Sequence, residues 1–329
     1  MASIEGNTDI SNMTSDKDLG NGWLNVGNSS TISMAFSIPA MVMSAIIVFG
    51  NLLVVLLVWK DPLKKLRSSP SNRIIVSMAI ADLLVGLVVC PLMAYWFWAI
   101  LHQKNLTSVL KSLFVLTDVS SGHVLLLTVD RVFASVTPLQ YRVKVTNRRV
   151  CMASIACWAY FILFGCAFGL WEKGYIILIK IFIVQSLFIL VSILVLNLVI
   201  FFAFRKHRKT TAAQDPSTAN RQIMLQRERK LSKAIAVVIS AFLLCSVPWY
   251  IVQFLMYFCT PCSPHLRLLL LGHTVTAALL YANSGVNPFL YAWRLPRYRE
   301  TFKHFWKKCQ ERCFSQNSQN ENFVCETRL

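Results

Sequence analysis

The stretch NSGVNPFLY, from Asn283 to Tyr291, places two asparagines, a serine, a glycine and a proline inside an apolar run that extends over residues 266–293. A run of this length can cross the roughly 30 Å hydrocarbon core of a bilayer as a helix. In hydrocarbon, a proline leaves a backbone carbonyl without its helical donor, and polar groups need partners from neighbouring helices. The stretch therefore predicts a kinked membrane helix that is surrounded by other helices.

Six further apolar runs precede it, and each is long enough to cross a bilayer. The seven runs occupy residues 38–59, 74–100, 109–136, 150–170, 176–204, 234–258 and 266–293. Only 15% of the 329 residues are charged, whereas soluble domains carry about 25%, and the runs lack the polar face of a soluble helix. The sequence predicts an all-α bundle of seven transmembrane helices over residues 37–293.

The segments outside the bundle differ from it in composition. Residues 1–36 are polar and lack the apolar core of a signal peptide, so we expect the first helix to act as the insertion signal. Residues 294–314 alternate Phe and Trp with Lys and Arg, which predicts a short amphipathic helix on the membrane surface after helix seven. Residues 315–329 are expected to form a polar cytoplasmic tail.

The formal charge of +18 is unevenly distributed among the connections between the runs. The first, third and fifth connections and the C-terminal segment are rich in Lys and Arg, whereas the other side carries few. The positive-inside rule then predicts a plasma-membrane protein with its N-terminus outside and its C-terminus in the cytoplasm. Because the positive charge is explained by this orientation, we expect no nucleic-acid partner. The N-glycosylation sequons at Asn12, Asn28 and Asn105 all lie on the predicted outer side.

Four of the ten cysteines predict covalent chemistry. Cys259 and Cys262 flank Thr-Pro in a connection that faces the oxidising side, so we expect a small disulfide. Zinc would need two more ligands, and only His265 is near. Cys309 and Cys313 follow the basic amphipathic segment and predict S-palmitoylation.

Ionisable side chains inside a membrane are costly and point to function. They include Asp82 in the second run and Asp118, His123, Asp130 and Arg131 in the third. Polar groups there can also serve only to join helices through hydrogen bonds. For Asn51, Ser77 and Trp158 we favour that structural role.

Six motifs follow one another along the runs. They are Gly50-Asn51, then Asp82 within SMAIADLLVG, Asp130-Arg131-Val132 with Pro138-Leu139 after it, Trp158, the segment from Phe242 to Pro248, and Asn287-Pro288-Phe289-Leu290-Tyr291. In this order they resemble the rhodopsin-like (class A) family of G-protein-coupled receptors over about residues 37–314. The resemblance implies a non-enzymatic receptor that binds an extracellular small molecule or peptide and acts on a heterotrimeric G protein, with arrestin as a further partner.

The resemblance also implies an ion site in the middle of the bundle. It would be a water-filled sodium pocket formed by Asp82, Ser120, Asn283, Ser284 and Asn287. One carboxylate with hydroxyl and amide oxygens suits a hard cation. Sodium, as an allosteric modulator, is the only metal expected, and no cofactor is expected.

A switch for G-protein coupling is implied at the inner end. The residues that the resemblance assigns to it are Asp130, Arg131, Glu228, Pro138, Leu139, Asn287, Pro288 and Tyr291. Arg131 would be held by Asp130 and by Glu228 in the resting state. Activation would release Arg131 and swing helix six outwards, while Tyr291 turns inwards to support the open state.

The chain departs from the family pattern at several positions. Cys245 is followed by Ser246 where family members usually have tryptophan, and Asn197 stands in place of a tyrosine in helix five, which also lacks its usual proline. Leu106 occupies the position of the helix-three cysteine, so the family disulfide cannot form. These departures affect the expected activation relay and leave the fold unaffected.

The ligand candidates are Leu113, Phe114, Thr117, Asp118, Gln185, Trp249, Tyr250, Gln253 and Tyr281. Amine receptors have aspartate at the position of Leu113, and retinal receptors have lysine at that of Tyr281, so neither ligand is favoured. The Cys259–Cys262 pair and NSGVNPF look like adenosine receptors, whereas the very short second outer connection looks like melanocortin receptors. The sequence assigns no ligand within that branch.

Asp118 is the boldest of these ligand candidates. Helical spacing directs it towards helix five, where Gln185 offers an amide at similar depth. The alternative is that Asp118 and Gln185 only hydrogen-bond to each other across two helices. We expect Asp118 to contribute to the ligand site.

Other functional classes fit the chain less well. An amine-type receptor of the same family remains an alternative, and a multi-pass transporter is the alternative from another class, although inverted repeats and broken helices are not visible. A membrane enzyme would need a catalytic constellation, and the histidines are scattered. At the C-terminus, Thr327 lies two residues before Leu329, a spacing that suits the groove of a PDZ domain.

Overall fold

The fold is described from a computed structural model. It describes residues 29–61, 66, 69–101, 107–171, 174–211, 219–259, 262, 265–295, 297–307 and 310–311. Within these ranges, some residues are described by their backbone alone: 29–33, 96–97, 99–101, 107–114, 138–139, 142, 169, 175, 204–211, 219–232, 234, 266–267, 270 and 294. All the regular elements of the described ranges are helices, which confirms the all-α prediction.

Seven long helices make up the bundle. They are helix 1, Ser29–Lys60; helix 2, Pro70–Leu84 continued by a π turn, Val85–Val89, and by Cys90–Leu101; helix 3, Thr107–Val136; helix 4, Asn147–Leu170; helix 5, Tyr175–Thr211; helix 6, Ala219–Phe258; and helix 7, Leu266–Arg294. A short loop helix, Pro138–Lys144, follows helix 3, and a C-terminal helix covers residues 297–307. We call the end of the bundle that holds Arg131 the inner end and the end that holds Cys259 the outer end.

Length and hydropathy support the membrane location. Over the described residues, six segments are long and apolar enough to span a bilayer: Met34–Lys60, Pro70–Tyr95, Val115–Val136, Asn147–Phe168, Ile176–Ala203 and Ile235–Phe258. Helix 7 has 29 residues, which is also enough to cross a bilayer, and it packs between helices 6 and 1. Large apolar side chains such as Phe49, Leu163 and Phe188 are exposed on the outside of the bundle, as expected of a surface that faces lipid.

Helix 3 lies at the centre and contacts helices 2, 4, 5 and 6. Small residues bring the outer helices close together. A Cβ added at Gly86 of helix 2 would lie 2.9 Å from Ile47 Cγ2 of helix 1, and one added at Gly50 would lie 3.0 Å from Pro288 Cγ of helix 7. Helix 1 therefore packs closely against both of its neighbours.

Two connections at the outer end are short. Helix 4 ends at Leu170 and helix 5 begins at Tyr175, in keeping with the very short connection in the sequence. Between helices 6 and 7, Cys259 and Cys262 are joined in a disulfide, as the sequence predicts. Several predicted sites lie outside the described residues: Asn12, Asn28, Asn105, Cys309, Cys313, Thr327 and Leu329.

Candidate functional site

A carboxylate cluster lies in the middle of the bundle around Asp82, whose side chain is fully buried. The Ser284 hydroxyl donates to Asp82 Oδ1 at 2.7 Å, and Asn287 Nδ2 donates to Oδ2 at 3.1 Å. Ser120 of helix 3 also hydrogen-bonds to Asp82. Asn283 is buried beside them, and its Oδ1 has no hydrogen-bond partner among the described residues. The structure thus brings four predicted ion ligands together, with a free amide oxygen nearby, and this donor set fits a hard cation such as sodium.

The geometry of helix 7 at this site follows from Pro288. Because proline has no N–H, the carbonyl of Ser284 four residues earlier lacks its helical donor. Asn51 of helix 1 donates to that carbonyl from its Nδ2 at 2.9 Å. The close packing at Gly50 brings helix 1 near enough for this bond, so Asn51 has the structural role that the sequence predicts.

A second buried cluster surrounds Arg131 at the inner end, where the guanidinium is 1% exposed. Its Nε donates to Asp130 Oδ2 at 2.9 Å, and one terminal nitrogen also donates to Asp130, to Ser71 and to Tyr141. The Tyr141 and Ser71 hydroxyls each donate in turn to Asp130 at 2.8 Å. Burial raises the pKa of Tyr141 above its ordinary value, so the phenol stays neutral and keeps its proton for this bond. The ion pair is therefore enclosed by helix 2 and the loop helix.

The other predicted members of the switch lie at the same end. Residue 228 is on helix 6, and residues 138 and 139 begin the loop helix, but their side chains lie outside the described part of the structure. Tyr291 is fully buried, its hydroxyl lies 3.9 Å from Met78 Sδ, and its ring is 6.0 Å from that of Tyr298. The structure thus links helix 7 to helix 2 and to the C-terminal helix.

Asp118 is fully buried nearer to the outer end. The hydroxyl of Tyr250 on helix 6 donates to its Oδ1 at 2.9 Å, and the hydroxyl of Ser186 on helix 5 donates to its Oδ2 at 2.5 Å. The alternative that Asp118 pairs with Gln185 is wrong, because Gln185 Oε1 instead accepts from Tyr160 at 2.6 Å. Neighbouring residues differ by 100° around a helix, so Ser186 points to helix 3 and Gln185 to helix 4.

The remaining ligand candidates lie on helices 3, 6 and 7. Trp249, Gln253 and Tyr281 are all buried, and Gln253 Nε2 lies 3.2 Å from His273 Nε2 of helix 7. Thr117 is buried on helix 3. Leu113 and Phe114 belong to the same helix, although their side chains are outside the described set.

A third polar chain joins helices 4, 2 and 3. Trp158 Nε1 donates to the Ser77 hydroxyl at 3.0 Å, and that hydroxyl lies 2.8 Å from His123 Nε2. His123 Nδ1 is 2.7 Å from the carbonyl of Val119, which can only accept, so Nδ1 carries the proton and Nε2 accepts from Ser77. With each group paired, Ser77, Trp158 and His123 serve to hold the helices together.

The cluster at Arg131 and the polar group at Asp82 lie in the region that a known family model covers. The model of the 7 transmembrane receptor (rhodopsin family) matches residues 50–291. The chain belongs to that family. The prediction of a non-enzymatic membrane receptor is therefore confirmed, and the transporter and enzyme alternatives are excluded.

Curated relatives of the receptor include adenosine receptors. It is 28% identical to the adenosine receptor A2a of Canis lupus familiaris over 305 residues, which cover 83% of this chain and 70% of the relative. Its identity to the adenosine receptor A2a of Homo sapiens is also 28%, over 311 residues that cover 84% of this chain and 72% of the relative. These similarities relate the receptor to the adenosine receptors, as the sequence motifs suggest.

Sequence reasoning missed four partners in the receptor: Ser71, Tyr141, Ser186 and His273. Ser71 and Tyr141 lie 59 and 11 residues from Asp130 along the chain. Hydroxyl groups are common near helix ends, and nothing in their spacing indicates a shared carboxylate. Only Ser186 was indicated by the sequence, because it is adjacent to Gln185, the residue of helix 5 towards which helical spacing directs Asp118.

Proposed function

We propose that this receptor binds an extracellular ligand in the outer half of the bundle and activates a heterotrimeric G protein through an outward movement of the inner part of helix 6. The N-terminus would lie outside the plasma membrane and the C-terminus in the cytoplasm, as the distribution of Lys and Arg predicts. The observation that carries the proposal is the buried cluster around Arg131.

The cluster suits a switch because it holds a buried charged side chain in place. The Nε and one terminal nitrogen of Arg131 donate to Asp130, Ser71 and Tyr141, which belong to helices 2 and 3 and the loop helix. A guanidinium has five N–H donors and keeps its charge, so its release would offer strong donors to a partner at the inner mouth of the bundle. A G protein that binds only the released form would shift the population towards it.

A route from the ligand to helix 6 is supported by the bond between Asp118 and Tyr250. Tyr250 lies two residues after Pro248, which interrupts helix 6. Asp118 therefore ties the outer part of helix 6 to helix 3 on one side of the proline. A ligand that rearranges this contact would change the angle at Pro248 and move the inner part of the helix.

Adenosine is the first ligand to test, because the relatives are named as adenosine receptors. Two differences leave it unassigned: Gln253 stands where the resemblance has an asparagine that reads adenine, and Tyr281 stands where it has a histidine. The melanocortin-like features keep peptides among the ligands to be tested. Amines are the weakest class, since Leu113 occupies the place of their aspartate.

The proposal is tested by a G-protein dissociation assay in cells that express the receptor, run across nucleosides, peptides and amines. We expect dissociation in response to a ligand of one class, and loss of the response in Arg131→Ala. Lys180→Ala, at the outer end of helix 5, is the control and should respond as the wild type does. Normal surface expression without coupling to any heterotrimer would contradict the proposed function.

A further inference from the structure

We propose that Thr146 is a phosphorylation site, modified with ATP by a serine/threonine kinase that prefers basic substrates. Thr146 lies between the loop helix and helix 4 at the inner end of the bundle. The inference rests on the orientation given under the proposed function, because that orientation exposes the inner end to the ATP of the cytoplasm. It is carried by an accessible hydroxyl group, by the conformation of the chain around it and by the charge of its neighbours.

The side chain of Thr146 is exposed, which distinguishes it from the other hydroxyl side chains described in the loops and helix ends of the inner end. Those side chains are half-buried or buried: Ser69, Thr137, Ser71, Ser135 and Thr301. The half-buried Thr137 also uses its hydroxyl to donate to the carbonyl of Phe133 at 3.1 Å. Among the described residues there, Thr146 therefore offers the hydroxyl that an enzyme can reach from solvent.

The local structure leaves the Thr146 hydroxyl ready to react. The backbone is extended at Val145 and Thr146, with ψ angles of 91° and 154°, so the side chain stands outside both helices. Its oxygen accepts from the N–H of Arg149 at 3.4 Å, and its proton has no acceptor among the described residues. In the transfer, this oxygen forms a bond to the γ-phosphorus of ATP and its proton passes to a base of the kinase. The bond from that phosphorus to the bridging oxygen breaks, and ADP leaves.

The neighbours of Thr146 determine which kind of kinase fits. Three exposed basic side chains lie within three residues of it: Lys144, Arg148 and Arg149. Arg73 of helix 2 adds a charge at the same end, with its Nη1 3.5 Å from Cys151 Sγ in the next turn of helix 4. Residues 131–171 contain no Asp or Glu that could offset these charges. A kinase whose substrate groove is acidic is complementary to this segment, whereas one with a basic groove is repelled.

The phosphorylated product would be stabilised where it forms. A phosphothreonine carries a charge of about −1.5 to −2 at neutral pH. The first turn of helix 4 has N–H groups without helical acceptors, and these favour a negative charge. Arg149 already reaches back past Thr146, since its Nη1 donates to the carbonyl of Lys144 at 2.7 Å. A phosphate on Thr146 would compete with that carbonyl for the guanidinium and would lower the positive charge of the inner end.

The test incubates the purified full-length receptor with ATP and the catalytic domain of protein kinase C, which prefers basic substrates. Mass spectrometry of chymotryptic peptides assigns the phosphate to a residue, and histone serves as the control for kinase activity. We expect phosphate at Thr146 in the wild type and none at this position in Thr146→Val. Thr146→Ser keeps both the hydroxyl and the helix cap, so it should be phosphorylated at the same position. The matched control Thr137→Val should keep the phosphate at Thr146.

A second set of measurements examines the role of charge. The double variant Arg148→Gln, Arg149→Gln should lower the initial rate of phosphorylation at Thr146 by about fivefold or more, because charges at the rim of an interface set the rate of encounter. Arg297→Gln, on the exposed surface of the C-terminal helix, is the matched control and should keep the wild-type rate. Casein kinase II, which prefers acidic substrates, should leave Thr146 unmodified.

Three results would overturn the inference. Thr146 could carry no phosphate under conditions in which histone is phosphorylated, the double arginine variant could react as fast as the wild type, or casein kinase II could modify Thr146 as fast as protein kinase C does. The purified receptor exposes both of its ends to the kinase, so these measurements depend neither on orientation nor on coupling. A failure therefore removes only this inference, whereas a receptor that is phosphorylated at Thr146 and couples to no heterotrimer loses only the proposed function.

Discussion

At the scale of single residues, helix 7 depends on a side chain from helix 1. The carbonyl of Ser284 is left without its helical donor by Pro288, and Asn51 supplies the missing bond. The same side chain bonds to the carbonyl of Ile47 in its own helix, so both of its amide hydrogens are used. One asparagine thus makes a proline tolerable in the middle of a membrane bundle.

Asn51→Ala should therefore destabilise the folded receptor by about 1–3 kcal/mol, the usual cost of leaving a buried polar group unpaired. The measurement is the melting temperature of the purified protein. Asn197→Ala is the matched control, because Asn197 is more exposed and its bond to Ser240 is longer, at 3.4 Å. Equal losses in the two variants would show that the Ser284 carbonyl does not need Asn51.

Asp82 is the residue that would make the receptor sensitive to sodium. Exchange of sodium chloride for N-methylglucamine chloride at constant ionic strength should lower the melting temperature of the wild type, because an ion that binds only the folded state stabilises it. Asp82→Asn should show little difference between the two salts, while Asp118→Asn should respond as the wild type does. The same response in all three proteins would rule out a sodium site at Asp82.

At the scale of elements, helix 6 is held differently on the two sides of Pro248. Its outer part is attached to helix 3 through Tyr250 and to helix 7 through Gln253. Its inner part packs mainly through apolar residues such as Ile235, Ile239 and Phe242, with one longer hydrogen bond of 3.4 Å from Asn197 of helix 5 to Ser240. Shorter directional bonds on one side and mainly apolar packing on the other would let the helix pivot about the proline.

Tyr250→Phe should raise ligand-independent G-protein signalling. Loss of one hydrogen bond of about 1 kcal/mol changes the ratio of active to resting receptor by about fivefold. Ser186→Ala removes the other bond to Asp118 and leaves the Tyr250–Asp118 bond in place, so basal signalling should rise less. The measurement is basal G-protein dissociation at equal surface expression. If the serine variant has the larger effect, the restraint acts through helix 5.

The resemblance to the receptor family implies that Glu228 would be a second restraint on the same helix. It lies twenty residues before Pro248 on the inner part of helix 6, where it would reach Arg131. Glu228→Ala should raise basal signalling, and combination with Tyr250→Phe should raise it further, since the two contacts lie on opposite sides of Pro248. Unchanged basal signalling in the single variant would mean that Asp130, Ser71 and Tyr141 hold Arg131 without help from helix 6.

At the scale of the whole molecule, the polar clusters form an axis through an apolar bundle. Asp118, Asp82 and Arg131 occupy successive depths, and each joins two helices. Asp118 of helix 3 is bonded to helix 6, Asp82 of helix 2 to helix 7, and Arg131 of helix 3 to helix 2. Apolar side chains cover the outside, where a lipid environment needs no polar groups. The arrangement places these three clusters where helices contact one another.

The C-terminal tail would bind the receptor to PDZ-domain proteins. Thr327 and Leu329 match a PDZ ligand, whose terminal carboxylate is bound by backbone amides. An amide cap on a peptide that ends in Leu329 should abolish capture of a PDZ domain, and Thr327→Ala should weaken it. Equal capture of the capped and free peptides would exclude this mode of binding.

The sequence by itself determined the helices and the kind of chemistry inside them. Run length and apolarity defined seven helices, and the resemblance to the receptor family implied the ion pair of Asp130 and Arg131 that the structure contains. Only the tertiary structure decided which groups are partners across the bundle. Asn51 and Ser284 are 233 residues apart, and Asp118 bonds to Ser186 rather than to the adjacent Gln185. The reason is that periodicity fixes which residues share a helix face, whereas the rotation and depth of each helix, set by packing, choose the contact.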